Sequence, residues 1–191
     1  SNQIPDGDTI GRFRALLVKN GLQEKLFAQV VGLLSVQGLM LKKGTIVDST
    51  IIAAPSSTKN REKKRDPDAH QTKKGNTWYF GYKAHIGVDR ETGLVHHVEV
   101  TGANVHDVTV VPALLTGDET EVYGDSGYLG ADKRECAITR NTNGKTIRYK
   151  INRRPSQSKN CTIRSSGQIL RREREKSSVR AKVEHAFGVV K

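Results

Sequence analysis

The sequence predicts a mixed α/β domain that follows a short helical segment. Three stretches of the 191-residue chain lead to this fold class. Gly44 to Ile52 is rich in β-branched residues, as is typical of a buried strand. Residues 78–88 alternate along a second strand, which a turn joins to a returning partner. The last helix, from about Gly167 or Gln168 to the chain end, carries an apolar stripe that needs a packing partner.

Two helices are predicted ahead of the first strand. The first has Asp8 as its N-cap and runs through Lys19, and the second runs from about Leu22 to Gln37. Apolar residues at helical spacing predict that both helices contact a core or a partner. These residues are Ile10, Phe13, Leu16 and Leu17, then Leu22, Leu26, Phe27, Val30, Leu33 and Leu34. We therefore predict a helical segment over residues 1–43 and a second domain over residues 44–191.

One acid, Asp48, interrupts the first strand. Because side chains alternate across a strand, Asp48 shares a face with Ile46 and Thr50. A carboxylate in such a position is costly unless it is paired, hydrogen-bonded or bound to a metal. Alternatively, Asp48 lies at the end of the strand, where it contacts water or caps a turn.

A long polar stretch, residues 53–76, follows this strand and is predicted to be a loop. Loops of this length in compact domains are usually functional or disordered. We weigh two interpretations, a loop that contacts phosphates and a solvated loop without a partner. The cations in question are Lys59, Arg61, Lys63, Lys64, Arg65, Lys73 and Lys74.

The hairpin that comes next pairs residues 78–88 with Leu94 to Thr101. We expect its aromatic face, which includes Trp78, to belong to the core and not to a platform for base stacking. His85 is interpreted as an ordinary sheet histidine. The remaining predicted elements are a helix capped by Asn104 or Asp107 and ended by Gly117, a strand over Glu121 to Gly124, a helix over residues 131–141, a strand over Thr146 to Asn152 and a loop over residues 156–166. The first three strands are expected to be antiparallel neighbours, and later strands to join through crossovers.

The positive charge is concentrated in one part of the chain. Residues 1–130 hold 15 basic and 15 acidic residues, whereas residues 131–176 hold 14 basic and 4 acidic residues, out of a formal net charge of +12. A neutral body with one basic sector favours a polyanionic partner, most often nucleic acid. A solvated basic sector without a partner is the alternative.

Other patterns exclude several classes of protein. No apolar run is long enough for a membrane span, and the N-terminus has no signal-peptide pattern. Cys136 and Cys161, the two cysteines, have no ligand spacing, which argues against a zinc site or a disulfide scaffold and favours a reducing cytosol.

Two more acids fall at places where they could join Asp48. Asp125 follows the predicted strand that ends at Gly124, and Glu184 lies on the last helix. Arg180, Glu184 and Lys191 are spaced by four and seven residues, so they form a stripe beside the apolar one. Three converging carboxylates would repel one another by roughly a kcal/mol per pair. Such a cluster makes sense if Mg²⁺ or Mn²⁺ fills it, because these ions prefer oxygen ligands.

At these residues the chain resembles the DDE transposases of bacterial insertion sequences, in the groups numbered four and five. The likeness covers nearly the whole chain, from about Gly7 to Lys191. The matching blocks are Ile46 to Thr50, His70 to Gly75, Trp78 to His85, Val122 to Tyr128 and Arg180 to Phe187. A single Asp-x-Gly-Tyr motif would be weak, but three blocks in order around the hairpin are specific.

The resemblance implies an RNase H-like fold with a mixed sheet flanked by helices. It also implies that Asp48, Asp125 and Glu184 are catalytic and bind two Mg²⁺ or Mn²⁺ ions. Of the family signature around the glutamate, Arg180 and Lys191 match, whereas Ser177 stands where the family has Tyr.

The implied activity is a DDE endonuclease reaction in DNA recombination. The enzyme nicks DNA at insertion-sequence ends and joins the 3′-hydroxyl to target DNA by two-metal phosphoryl transfer. Double-stranded DNA is the expected partner, with Arg180, Lys191, Lys73, Lys74, Arg153 and Arg154 as contacts. We also expect a homodimer on DNA, no membrane association, and a bacterial cytoplasmic location at the nucleoid.

The chain also looks shorter than is usual for this family at both ends. We therefore expect a truncated catalytic core, and two alternatives remain open. One is a non-catalytic, basic DNA-binding remnant of a transposase, and the other is a standalone nuclease of the same fold.

Overall fold

The computed structural model describes residues 4–154 and 163–190. The chain divides into two compact units, Ser1–Met40 and Leu41–Lys191. None of the helices in these described ranges is both long enough and apolar enough to cross a membrane.

The first unit holds helix α1, Gly7–Lys19, and helix α2, Gln23–Val36. Asp6 is the N-cap of α1, because its Oδ1 accepts a hydrogen bond of 2.7 Å from the backbone N–H of Thr9. The prediction of Asp8 as the cap was therefore wrong by two residues, and Asp8 lies in the first turn, where an acid favours the helix dipole.

The apolar sides of α1 and α2 do not form a core within this unit, since neither helix has a buried residue. Phe13 is 57% exposed and Leu33 is 58% exposed. Helical spacing predicted the helices correctly, but two short helices do not cover each other's apolar stripes. The prediction that these residues are buried by a core is wrong for the first unit, and contact with a partner stays a prediction.

Within the described residues, the second unit is built on a mixed sheet of six strands. The strands are β1 (Gly44–Ala53), β2 (His70–Lys74), β3 (Thr77–Asp89), β4 (Val95–Gly102), β5 (Glu121–Gly124) and β6 (Arg148–Ile151). Their order is β2-β3-β1-β5-β6, and β4 also pairs with β3. Strands β1, β3 and β4 are antiparallel neighbours, whereas β5 is parallel to β1 and β6 is parallel to β5. The mixed α/β class and the antiparallel arrangement of the first predicted strands are confirmed.

The predicted loop over residues 53–76 contains a strand at its end. β2 pairs with the first part of β3, where Lys73 lies opposite Trp78 and Lys74 opposite Thr77. The loop prediction failed here because a Lys-rich segment can still pair when it lies at a sheet edge, where cationic side chains remain in water.

The aromatic end of the hairpin is also less buried than predicted. Trp78 is 64% exposed, and its ring faces the Lys73 ammonium at 5.8 Å. Burial on β3 is continuous only from Ala84 to Asp89, where both β1 and β4 flank the strand. The assignment of Trp78 to the core was therefore wrong.

Helical structure after the hairpin differs from the prediction in three places. Helix α3 is only Asp107–Val110, with His106 as its N-cap, and continues as a 3₁₀ turn, Val111–Leu114, that begins next to Pro112. Residues 131–141 contain a 3₁₀ turn at Ala131–Lys133 and no longer helix. The last helix, α4, spans Ile163–Val190 and so begins before Gly167. The predicted loop over residues 156–166 lies partly outside the described residues.

The sheet has a separate apolar cluster on each face, and β1 supplies residues to both. Val47 packs with α3 and the 3₁₀ turns, among them Val111 and Tyr128. Ile46, its neighbour, packs with Val183 and Phe187 of α4. Since Asp48 has the same parity as Ile46, it lies on the face that α4 covers.

Candidate active site

A cleft opens where β1 continues beyond the end of β5. The parallel pairing stops at Ile46 opposite Tyr123, whereas β1 extends to Ala53. Asp48 therefore lies just past the paired segment, and Asp125 follows β5 at the same edge. The cleft has a volume of about 200 Å³. Its lining residues are Asp48, Ser49, Ile51, Thr72, Lys73, Lys74, Lys83, Asp107, Asp125 and Tyr128.

Asp48 is half-buried, and both of its oxygens have a partner. Oδ1 accepts a hydrogen bond of 2.8 Å from the N–H of Ser49, and Oδ2 lies 3.4 Å from Nη2 of Arg180 on α4. Burial raises the pKa of Asp48, and the nearby charge of Asp125 raises it further. The Ser49 N–H and the Arg180 guanidinium oppose this shift without cancelling it. Burial thus outweighs these two partners, and a cation bound in the cleft would favour the charged form of Asp48.

Asp125 is fixed by the turn that follows β5. Its Oδ1 accepts a hydrogen bond of 2.8 Å from the N–H of Gly127, which caps a 3₁₀ turn over Ser126–Tyr128. A Cβ at position 127 would lie 2.9 Å from this oxygen, so a larger residue would displace the carboxylate. Gly127 therefore allows the close approach that orients Asp125.

Tyr128 lines the same cleft as these acids, with 1% of its surface exposed. Burial raises the pKa of its hydroxyl, and the charges of Asp107 and Asp48 add to the shift. Within the described residues this hydroxyl forms no hydrogen bond of good geometry. A buried polar atom without a partner next to several carboxylates indicates a polar site that is not fully satisfied by the protein itself.

Glu184, the third predicted acid, is exposed and does not line this cleft. It lies one helical turn beyond Arg180, which does reach Asp48. No three His, Cys, Asp or Glu side chains in residues 4–154 and 163–190 lie close enough together to hold one ion. The fold brings Asp48 and Asp125 to one cleft and leaves Glu184 on the neighbouring helix face.

The acids present still have the right chemistry for a hard divalent cation. Asp48 and Asp125 offer carboxylate oxygens, which Mg²⁺ and Mn²⁺ prefer, and Mg²⁺ commonly uses one or two protein carboxylates together with waters. Burial is the main cause of the raised pKa of Asp48, so a bound cation would stabilise the charged form of this carboxylate. These two residues therefore fit such an ion, with Glu184 as the acid on the adjacent helix.

The predicted DNA-contacting cations are distributed over two regions. Lys73 and Lys74 line the cleft from β2. Arg153 and Arg154 follow β6 and are exposed, and Arg153 borders a second cavity of about 460 Å³ between the sheet and α4. Lys191 lies outside the described residues.

Sequence reasoning missed two residues of the cleft, Lys83 and Asp107. Asp107 was interpreted as a helix cap and Lys83 was given no role. The available signal was the alternation of β3, which places Lys83 and His85 on one face, but it did not show that Asp107 would lie opposite them. Lys83 Nζ lies 3.0 Å from Oδ1 of Asp107, and His85 Nδ1 lies 3.7 Å from the same oxygen.

The chain matches the model of a known protein family. No solved structure matches the chain. A family model described as a transposase DDE domain matches residues 40–191, which is most of the sequence and includes the sheet, the cleft and α4. The chain therefore belongs to the transposase DDE domain family.

Proposed function

We propose that this chain is the catalytic core of a DDE transposase of the insertion-sequence type. It would nick DNA at the ends of an element and join the freed 3′-hydroxyl to target DNA. The observation that carries the proposal is the cleft in which Asp48 and Asp125 meet beside lysines of β2. Membership of the transposase DDE domain family supports the same activity.

The sheet order supports an RNase H-like domain over residues 44–191, preceded by the helical segment over residues 1–43. The resemblance implies one acid on the first strand and a second just after the fourth. Asp48 lies on β1, and Asp125 follows β5, which is the fourth strand if the added edge strand β2 is not counted. Helix α4 then carries the third acid, Glu184.

In the proposed reaction Asp48, Asp125 and Glu184 would hold two Mg²⁺ or Mn²⁺ ions. When bound, such ions activate the attacking hydroxyl or water and stabilise the leaving oxygen. Val183 and Phe187 pack α4 against β1, and Arg180 pairs with Asp48 at 3.4 Å, so the helix that carries Glu184 borders the site. Gly127 keeps Asp125 oriented through its N–H.

The DNA is expected to lie along cations on both sides of the cleft. Lys73, Lys74 and Arg180 border the acids, and Arg153, Arg154 and Lys191 would extend the contact along the duplex. Neutralised phosphates release counterions, so affinity should fall steeply with salt. We further propose that two copies act together on DNA, in the bacterial cytoplasm at the nucleoid.

A plasmid-nicking assay tests the proposed activity without knowledge of the terminal sequences. We expect the chain to convert supercoiled plasmid to open circles with Mg²⁺ or Mn²⁺, and not with EDTA. Added linear fragments with free 3′-hydroxyls should appear joined to plasmid, which distinguishes a transposase from a standalone nuclease. Absence of nicking with either ion, at concentrations where DNA is bound, would contradict the proposal.

One observation favours a second candidate, a non-catalytic DNA-binding remnant. Glu184 does not line the cleft with the two aspartates. A remnant would bind DNA with the same salt dependence, but neither ion would produce nicks. The Asp48→Asn change would then have no effect beyond a small change in affinity.

A further inference from the structure

The cleft contains a lysine that is held in place more firmly than the exposed lysines of β2. Lys83 is 13% exposed at its side chain, and its Nζ donates a hydrogen bond of 2.8 Å to the carbonyl oxygen of Val105. The same Nζ lies 3.0 Å from Oδ1 of Asp107. An ammonium group has three N–H donors and the Val105 carbonyl takes one of them, so a donor remains for a group that enters the cleft beside Asp107.

Asp107 is placed to orient this ammonium group. It is the first residue of α3 and lines the cleft together with Lys83. Its Oδ1 is buried, and no hydrogen bond of good geometry reaches it from the described residues. An ion pair with Lys83 at 3.0 Å therefore accounts for the position of this oxygen.

His85 lies close to Asp107 but does not replace Lys83 as its cationic partner. Its side chain is fully buried, and its Nε2 is 2.9 Å from the Thr101 hydroxyl. Burial lowers the pKa of His85, and the charge of Lys83 lowers it further against the opposing effect of Asp107. Because the imidazole is neutral, Lys83 is the cation that balances the negative charge of Asp107.

We propose that Lys83 donates an N–H to a phosphate oxygen of DNA in the cleft, and that Asp107 is its positioning residue. This inference rests on the proposed function, because it takes DNA as the ligand. Asp48 and Asp125 repel a phosphate, so a fixed cation that lines the same cleft offsets this repulsion at a defined point. Lys73 and Lys74 are exposed and therefore suited to looser contacts along the backbone.

Salt dependence of DNA binding tests the inference without any cleavage. The probe is a 20-base-pair duplex in EDTA, titrated by fluorescence anisotropy at several salt concentrations. Loss of one phosphate contact lowers the slope of log affinity against log salt by about one and weakens binding near 0.1 M salt about tenfold. We expect this result for Lys83→Met, and near-normal binding for Lys83→Arg and for the control Lys25→Met on α2.

Asp107→Asn should lower the salt slope by about one in the same way, because the ammonium loses its orienting partner, although the cleft also loses a negative charge. The double variant should bind no more weakly than Lys83→Met alone, since both changes remove one contact. An unchanged slope in Lys83→Met, or losses that add in the double variant, would overturn the inference. If circular dichroism shows that Asp107→Asn is not folded, the difference in salt slope between Lys83→Met and Lys83→Arg tests the inference instead.

The outcome is separable from that of the proposed function. Salt-dependent binding that requires Lys83, without nicking in Mg²⁺, would contradict the catalytic proposal and support this inference. Nicking that is accompanied by normal DNA binding in Lys83→Met would support the catalytic proposal and contradict this inference.

Discussion

Replacing Asp48 with asparagine should reduce Mg²⁺-dependent DNA nicking at least about a thousandfold. The change keeps the size of the side chain but removes the charge that a cation needs, and an ion in such a site stabilises the transition state by several kcal/mol. Asparagine can still accept the Ser49 N–H, so the local fold should persist. The rate of plasmid relaxation measures the effect.

DNA binding should survive this change, or become stronger, because the cleft loses a negative charge beside Lys73 and Lys74. Asp68→Asn is a matched control, since Asp68 is exposed and lies outside the cleft. It should nick at the normal rate. Normal nicking by Asp48→Asn would remove Asp48 from the catalytic set.

Replacing Glu121 with glutamine should destabilise the second unit by about 2–3 kcal/mol near neutral pH. The Glu121 side chain is 6% exposed, and its carboxylate contacts Arg90 at 2.6 Å, Arg148 at 2.7 Å and Lys150 at 2.8 Å. The Tyr123 hydroxyl also donates to it at 2.7 Å. Without this charge, three cations remain together at the start of β5. Thermal or urea unfolding gives the magnitude.

The same substitution predicts a pH dependence. Burial alone would raise the pKa of Glu121, but hydrogen bonds from Lys150 and Tyr123, together with nearby positive charge, lower it to about 2. A lowered pKa contributes stability above the unfolded value near 4.5, and the contribution is lost as pH falls toward 2. The difference in unfolding free energy between wild type and Glu121→Gln should therefore shrink over this range.

Glu91→Gln serves as the control for this cluster. Glu91 pairs with the same Arg90 at 2.9 Å, but its side chain is 42% exposed. Exposed pairs typically contribute less than about 1 kcal/mol, so this variant should be nearly as stable as wild type. A similar loss in both variants, or a Glu121→Gln difference that is independent of pH, would argue against a special role for the buried carboxylate.

The parts of the fold that the sequence predicted well are those with a clear local period. The strand around Asp48, the hairpin and the short strand before Asp125 each have a buried face that fixes their register. The local sequence pattern predicted secondary structure less well where tertiary contacts determine it. Lys73 and Lys74 belong to an edge strand, but their charge is more typical of a loop in the sequence. Residues 131–141 have a composition typical of a helix, but they form a 3₁₀ turn followed by irregular chain.

Prediction of the candidate site also succeeded where the local pattern was clear and failed where packing decides the position of a residue. The proximity of Asp48 and Asp125 could be predicted because one acid lies on a predicted strand and the other directly follows one, and sheet geometry brings these places together. Glu184 was identified by its motif, but the position of a helix relative to the sheet depends on packing that a single sequence does not reveal. Asp107 and Lys83 are separated in sequence by the rest of the hairpin, and their contact is seen only in the folded chain.

Calorimetric titration of Mn²⁺ in the presence of a short DNA duplex, corrected for binding to DNA alone, tests the central claim most directly. The account predicts saturable binding to the wild-type chain and to Asp68→Asn, and its loss in Asp125→Asn. Glu184→Gln should weaken binding if the helix completes the site. Absence of Mn²⁺ binding in the wild type, or equal binding in Asp125→Asn, would contradict a metal-dependent site between these carboxylates.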